Sequence, residues 1–128
     1  MKRRPNSNFI NGGMKKMVEA IISGVIFGIC ALIMIGIGVS QLRSEKPVGF
    51  YTGEKAPSED EISDVHMWNK KHGTMWVAYG VIIVLTWVCG LIIGDSIWVL
   101  VPVAIGLLVP IVVMIWYHHR LIKKYKVK

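Results

Sequence analysis

Three apolar runs, each about as long as a bilayer is thick, limit this chain more than any other feature. The first is MVEAIISGVIFGICALIMIGIGVSQL at 17–42 and the second TMWVAYGVIIVLTWVCGLIIG at 74–94. The third, SIWVLVPVAIGLLVPIVVMIWYH, occupies 96–118. A helix rising about 1.5 Å per residue needs roughly 20 apolar residues to cross about 30 Å of hydrocarbon. Each run meets that length. None alternates with period two over about 10 residues, as a membrane barrel strand would. The expected fold is all-α, an integral membrane protein with three transmembrane helices. Composition supports the same class, with 53% hydrophobic and only 18% charged residues in 128. A soluble domain of this size buries only about 60–70% of its unfolded surface, too little to hide so many apolar side chains. The N-terminal charges followed by an apolar run could suggest a secretory signal. That run exceeds the roughly 7–15 residues of a signal core and has no A-x-A pattern near Ser40, so a retained helix is expected.

The remaining segments have distinct chemistry. Residues 1–16 form a basic head with Pro5 and Gly12–Gly13, expected to be mobile. Residues 119–128 form a basic tail. Ser96 is placed to cap the third helix, which leaves a short connection and a tight hairpin between helices two and three. The polar loop, 43–73, carries six of the eight carboxylates. Its first half holds turn residues Pro47, Gly49, Gly53 and Pro57. In its second half Ser58 and Glu61 have capping-box spacing, with Glu59, Asp60 and Glu61 in a first turn and Lys70, Lys71 and His72 in a last. Ile62, Val65 and Trp68 make an apolar stripe. An interfacial amphipathic helix is therefore expected over about 58–72. Gly73 marks a bend, or a near-continuous run, into the second span.

Lys and Arg divide five to the head, five to the loop and five to the tail. Three spans put loop and tail together, so the count is ten against five in favour of a cytoplasmic loop and C-terminus. The flanks of the first helix taken alone favour the opposite orientation.

Residues that could carry chemistry are few. Glu19 is the one Asp, Glu, Lys or Arg within the spans and lies near a helix N-terminus, which argues against a proton-coupled pump. His66, His72, His118 and His119 match no metal-binding spacing and read as solvated interfacial histidines. No nucleophile elbow is present, so no enzyme, metal or cofactor is expected. Cys30 and Cys89 lie at different depths and read as small buried apolar residues rather than a disulfide. The net charge of +7 points to anionic lipid rather than nucleic acid, for which there is no motif. Small residues spaced by four suggest helix-packing ridges: Ala20, Gly24 and Gly28; Thr86, Gly90 and Gly94; Pro102, Gly106 and Pro110. These ridges serve either packing within the chain or a homo-oligomer.

Gly49-Phe50-Tyr51-Thr52 after the first span, then an acidic stretch, Asp64, Trp68-Asn69 and Gly73 opening the second span, together resemble the SdpI-like group of small bacterial membrane proteins. That group includes three-span chains from Firmicutes. The resemblance covers roughly 33–115 and is carried by the loop, since the spans match only as apolar helices. It implies a bacterial cell-membrane protein. One member of the group is an immunity protein against a secreted killing factor that also holds a transcriptional repressor at the membrane. This chain has three spans rather than six, Tyr51 in place of an arginine, and Asn69-Lys70-Lys71-His72 in place of Ala-His-Arg. The expected function is non-enzymatic interaction with a toxin, peptide or soluble regulator through residues 49–73. Gly49, Phe50, Tyr51, Thr52, Asp64, Trp68, Asn69 and Gly73 are its expected contacts. The alternative is an oligomeric transporter or channel component.

Overall fold

A computed structural model describes residues 7–50, 55–94 and 96–127. The described residues are helical apart from the loop, short turns and an isolated β-bridge. α1 spans Ser7–Arg43, α2 Val65–Ile93 and α3 Leu100–Tyr125, with 3-10 turns at Glu59–Glu61 and Ile97–Val99. All three helices are long and apolar enough to cross a membrane.

Each helix is longer than its apolar run. α1 starts at Ser7 rather than near Met17, because Gly12 and Gly13 are carried inside the helix and not spent on a hinge. At 37 residues it is about 55 Å long, so its basic first turns project beyond the hydrocarbon. α3 runs unbroken through Pro110 and through most of the expected tail to Tyr125. The tail is helical because its apolar residues continue the helix period. Met114, His118, Leu121 and Tyr125, spaced by four, three and four, form one buried stripe.

The helix expected over 58–72 is divided. Glu59–Glu61 make only a 3-10 turn, in which Glu61 Oε2 accepts the Ser58 N–H at 3.0 Å. Ile62 and Ser63 then leave helical geometry to pair with the tail. Ser63 N–H donates to Tyr125 O and Val127 N–H to Glu61 O, both at 2.8 Å, in an antiparallel bridge between Ile62 and Lys126. Asp64 restarts the helix by accepting the Met67 N–H at 3.0 Å. Residues 65–72 are the first two turns of α2, which passes through Gly73 without a bend.

α2 lies between the other two helices and makes its most extensive contact with α1. The α1 seam is Gly24, Phe27, Ala31, Met34, Gly38 and Gln41, a three-four repeat like that of a coiled coil. Its tightest point is glycine against glycine: a Cβ at Gly38 would lie 2.6 Å from Gly73 O, and one at Gly73 would lie 2.7 Å from Gly38 O. One α2 turn-pair further, a Cβ at Gly80 would meet Ala31 O at 2.9 Å. Against α3, Gly106 receives the Thr86 hydroxyl, and Tyr79 Oη donates to Leu107 O at 3.2 Å.

The four-residue ridges read from sequence are partly used. Gly24 faces the Trp87 ring, and Thr86 and Gly106 meet. Ala20 and Gly28 are half-buried, but a Cβ at Gly28 would meet nothing within 4 Å. A spacing of four advances about 40° past a full turn, so a strict ridge rotates off a long seam. Gly90 only touches Val99, and Gly94 is the turn itself, with φ of 77° that suits glycine. Ser96 Oγ accepts the Trp98 N–H, which caps the 3-10 turn that leads into α3. Cys30 and Cys89 are unpaired and lie on outward faces rather than inside.

Candidate functional site

The loop and tail form a folded cap over one end of the helices. The most heavily buried large side chains of the chain are there, Trp68 and Asn69 at 2% exposure and His72 at 0%. Trp68 packs with Ile62, Leu121 and Tyr125.

The polar groups of α1 and α2 hold the descending loop by its backbone. Asn69 Oδ1 accepts the Val48 N–H at 3.0 Å, and its Nδ2 donates to Ser44 O and Lys46 O at 3.0 and 2.8 Å. Trp68 Nε1 donates to Val48 O at 2.9 Å, and Trp76 Nε1 to Phe50 O at 2.9 Å. Gln41 Nε2 donates to Gly49 O at 3.1 Å. A buried backbone without such partners would be costly, so these side chains are what allow residues 44–50 to pack inward.

Beneath the loop, α2 and α3 are joined by two histidines. His72 Nε2 and His118 Nδ1 are 2.9 Å apart, and His72 Nδ1 is 2.8 Å from Trp68 O. A carbonyl only accepts, so His72 Nδ1 carries a hydrogen. When His72 is neutral its Nε2 is an acceptor, and His118 Nδ1 must donate to it. The tautomers of both rings are thereby assigned from the network. His118 also stacks on Phe50, with centroids 4.6 Å apart. The pair ties α2 to α3, with both ring nitrogens of the buried His72 engaged. Among the described residues no three His, Cys, Asp or Glu side chains are grouped to hold a metal.

A cavity of about 260 Å³ opens beside the pair. Phe50, Trp68 and His118 wall it, and Lys55, Glu61 and Lys126 line it with charge. It combines an aromatic floor with groups of both signs.

The structure therefore brings together Gly49, Phe50, Trp68, Asn69 and Gly73 of the expected contacts. Trp68, Asn69 and Gly73 face the interior, however, where they build the surface rather than offer it. Asp64 stands apart as the exposed N-cap of α2. Tyr51 and Thr52 lie outside the described residues. The expectation that all four histidines are solvated is corrected for His72 and His118, which are buried; His66 and His119 are exposed. The signal for His72 was its spacing of four from Trp68, and for His118 its place between Met114 and Leu121. The basic residues around them obscured both stripes.

The three apolar helices fit a multi-pass membrane protein. In comparisons with protein-family models, curated proteins and solved structures, the chain matches none.

Proposed function

We propose that this chain is a non-enzymatic membrane interaction protein that recognises a peptide or protein partner with the cavity in its cap. The supporting observation is that a loop held by side-chain hydrogen bonds adjoins a charged, aromatic-floored cavity. A preorganised surface binds without first losing loop entropy. The likeness of the loop to SdpI-like proteins supports an immunity or regulatory role within this reading. The ten-to-five distribution of Lys and Arg supports a cytoplasmic cap, and the SdpI-like resemblance a bacterial cell membrane. A soluble regulator is then the favoured partner over a secreted toxin.

The test is a photoreactive side chain at exposed Lys55, compared with one at lipid-facing Ile92. The reading predicts a discrete protein adduct from Lys55 alone, lost when Lys126→Glu reverses the charge across the cavity. Only lipid adducts from Lys55, or an adduct indifferent to Lys126→Glu, would contradict it. Orientation is tested separately with Lys55→Cys in a chain whose Cys30 and Cys89 are alanine. A membrane-impermeant maleimide should label it only after lysis.

A transport reading draws on a second cavity, of about 330 Å³, between the helices at the other end. Ser23, Thr86 and Trp87 line it, with Lys16 and Glu19 also in its wall. It predicts solute flux in liposomes that is abolished by Ser23→Trp.

A further inference from the structure

At the cap end, on the outer side of the α2–α3 pair, two cavities adjoin and share Lys71 and Tyr117. One, of about 440 Å³, is lined by these two with Arg120, Leu121, Lys123 and Lys124. The other, of about 320 Å³, descends along α2 past Thr74, Met75 and Ala78. The upper cavity carries four cations, Lys71, Arg120, Lys123 and Lys124, beside Tyr117 and Leu121, and the lower is largely apolar. Neither has a carboxylate in its lining.

The cations are held there without being neutralised. Arg120 lies over the Trp116 ring at 5.0 Å and Lys124 over the Tyr125 ring at 5.4 Å. No carboxylate forms an ion pair with Lys70, Lys71, Arg120, Lys123 or Lys124 among the described residues. By contrast, Lys15 pairs with Glu19 at 4.0 Å, and Lys55 and Lys126 share their cavity with Glu61. The cationic cleft is therefore an anion site by charge. Its depth follows from its aromatics, because Trp116 and Tyr117 belong to the belt where headgroups meet hydrocarbon.

We propose that this cleft binds an anionic phospholipid. Its phosphate sits among Lys71, Arg120, Lys123 and Lys124, and one acyl chain follows the groove beside Met75 and Ala78. Clusters of basic residues between membrane helices suit acidic headgroups, and an adaptable methionine suits an irregular chain. The site is separate from the cap cavity and does not depend on the function proposed for it.

The full chain, purified in neutral detergent, is offered phosphatidylglycerol or phosphatidylcholine and examined by native mass spectrometry. The expected result is one phosphatidylglycerol retained per chain, preferred by about ten-fold or more. Replacing Arg120, Lys123 and Lys124 together by Gln should remove the preference, whereas Lys55→Gln with Lys126→Gln should leave it intact. Thr74→Trp fills the apolar groove without changing charge and should also reduce retention. Equal retention of the two lipids would overturn the proposal. A preference that survives the triple variant would do so too. If Thr74→Trp has no effect, the attraction is diffuse charge and the site is refuted.

Discussion

The two ends of this helical array are built differently. At the cap end, Trp68, Asn69, His72, His118 and Tyr125 are buried and hydrogen bonds tie the loop to α1 and α2. At the opposite end a short turn exposes Ile97 and Trp98, and a cavity separates the helices. The polar contact there is slight: Trp87 Nε1 donates to Ser23 Oγ at 3.1 Å, and that hydroxyl donates to Ala20 O. The difference follows from the chain each end holds, a polar loop and a tail at the cap and a short turn at the other end. Within a bilayer, packing apolar side chains together gains little over leaving them in lipid, so small residues at close approaches set the contact. Where water reaches the chain, burying Trp68 and Leu121 is favourable, and the loop backbone can be buried only if polar side chains receive it. The end with specific chemistry is the end where a loop and a tail supply backbone and side chains to bury.

The largest effect should come from separating α1 and α2 at their crossing. Gly38→Leu places a side chain against the backbone of Gly73 and Val77, and we expect a loss of about 3 kcal/mol. Gly28→Leu, in open space on the same helix, should change stability by less than about 0.5 kcal/mol. Unfolding with SDS in mixed micelles measures both, and equal effects would remove the distinction between seam and lipid face. Next in size is Asn69→Ala, which strips partners from Val48, Ser44 and Lys46 and should cost about 2 kcal/mol. It should also open residues 44–50 to protease while α1 and α3 stay helical by circular dichroism. The smallest effect belongs to the other end. Ser96→Ala removes one exposed bond of 3.3 Å and should cost about 0.5 kcal/mol.

The same contrast decides what could be read from the sequence. The spans were legible because their apolar runs carry the signal residue by residue. The hairpin at Gly94 and the cap at Ser96 were legible for local reasons of backbone and hydrogen bonding. Asp64 was marked as a contact, but its role as N-cap was hidden by the stronger capping pattern at Ser58 and Glu61. That pattern predicts a helix through Ile62, and only the distant Tyr125 and Val127 divert the chain there. Trp68 was marked by its apolar stripe and Asn69 by the resemblance, yet their direction depends on where residues 44–50 return. The His72–His118 pair joins positions 46 apart, and no local period announces it. Gly38 and Gly80 fall outside the ridges of four, because the seam steps by three and four.

The central claim is that loop and tail are a folded cap rather than a tether. Its most direct test is residue-resolved amide exchange in micelles, read at Val48, Ser63 and Val127. Their N–H groups donate to Asn69, Tyr125 and Glu61 respectively. The account predicts protection at these three amides well above that of an unstructured peptide, with that at Val48 lost in Asn69→Ala. Exchange at the unprotected rate, with α2 still protected beside them, would contradict it.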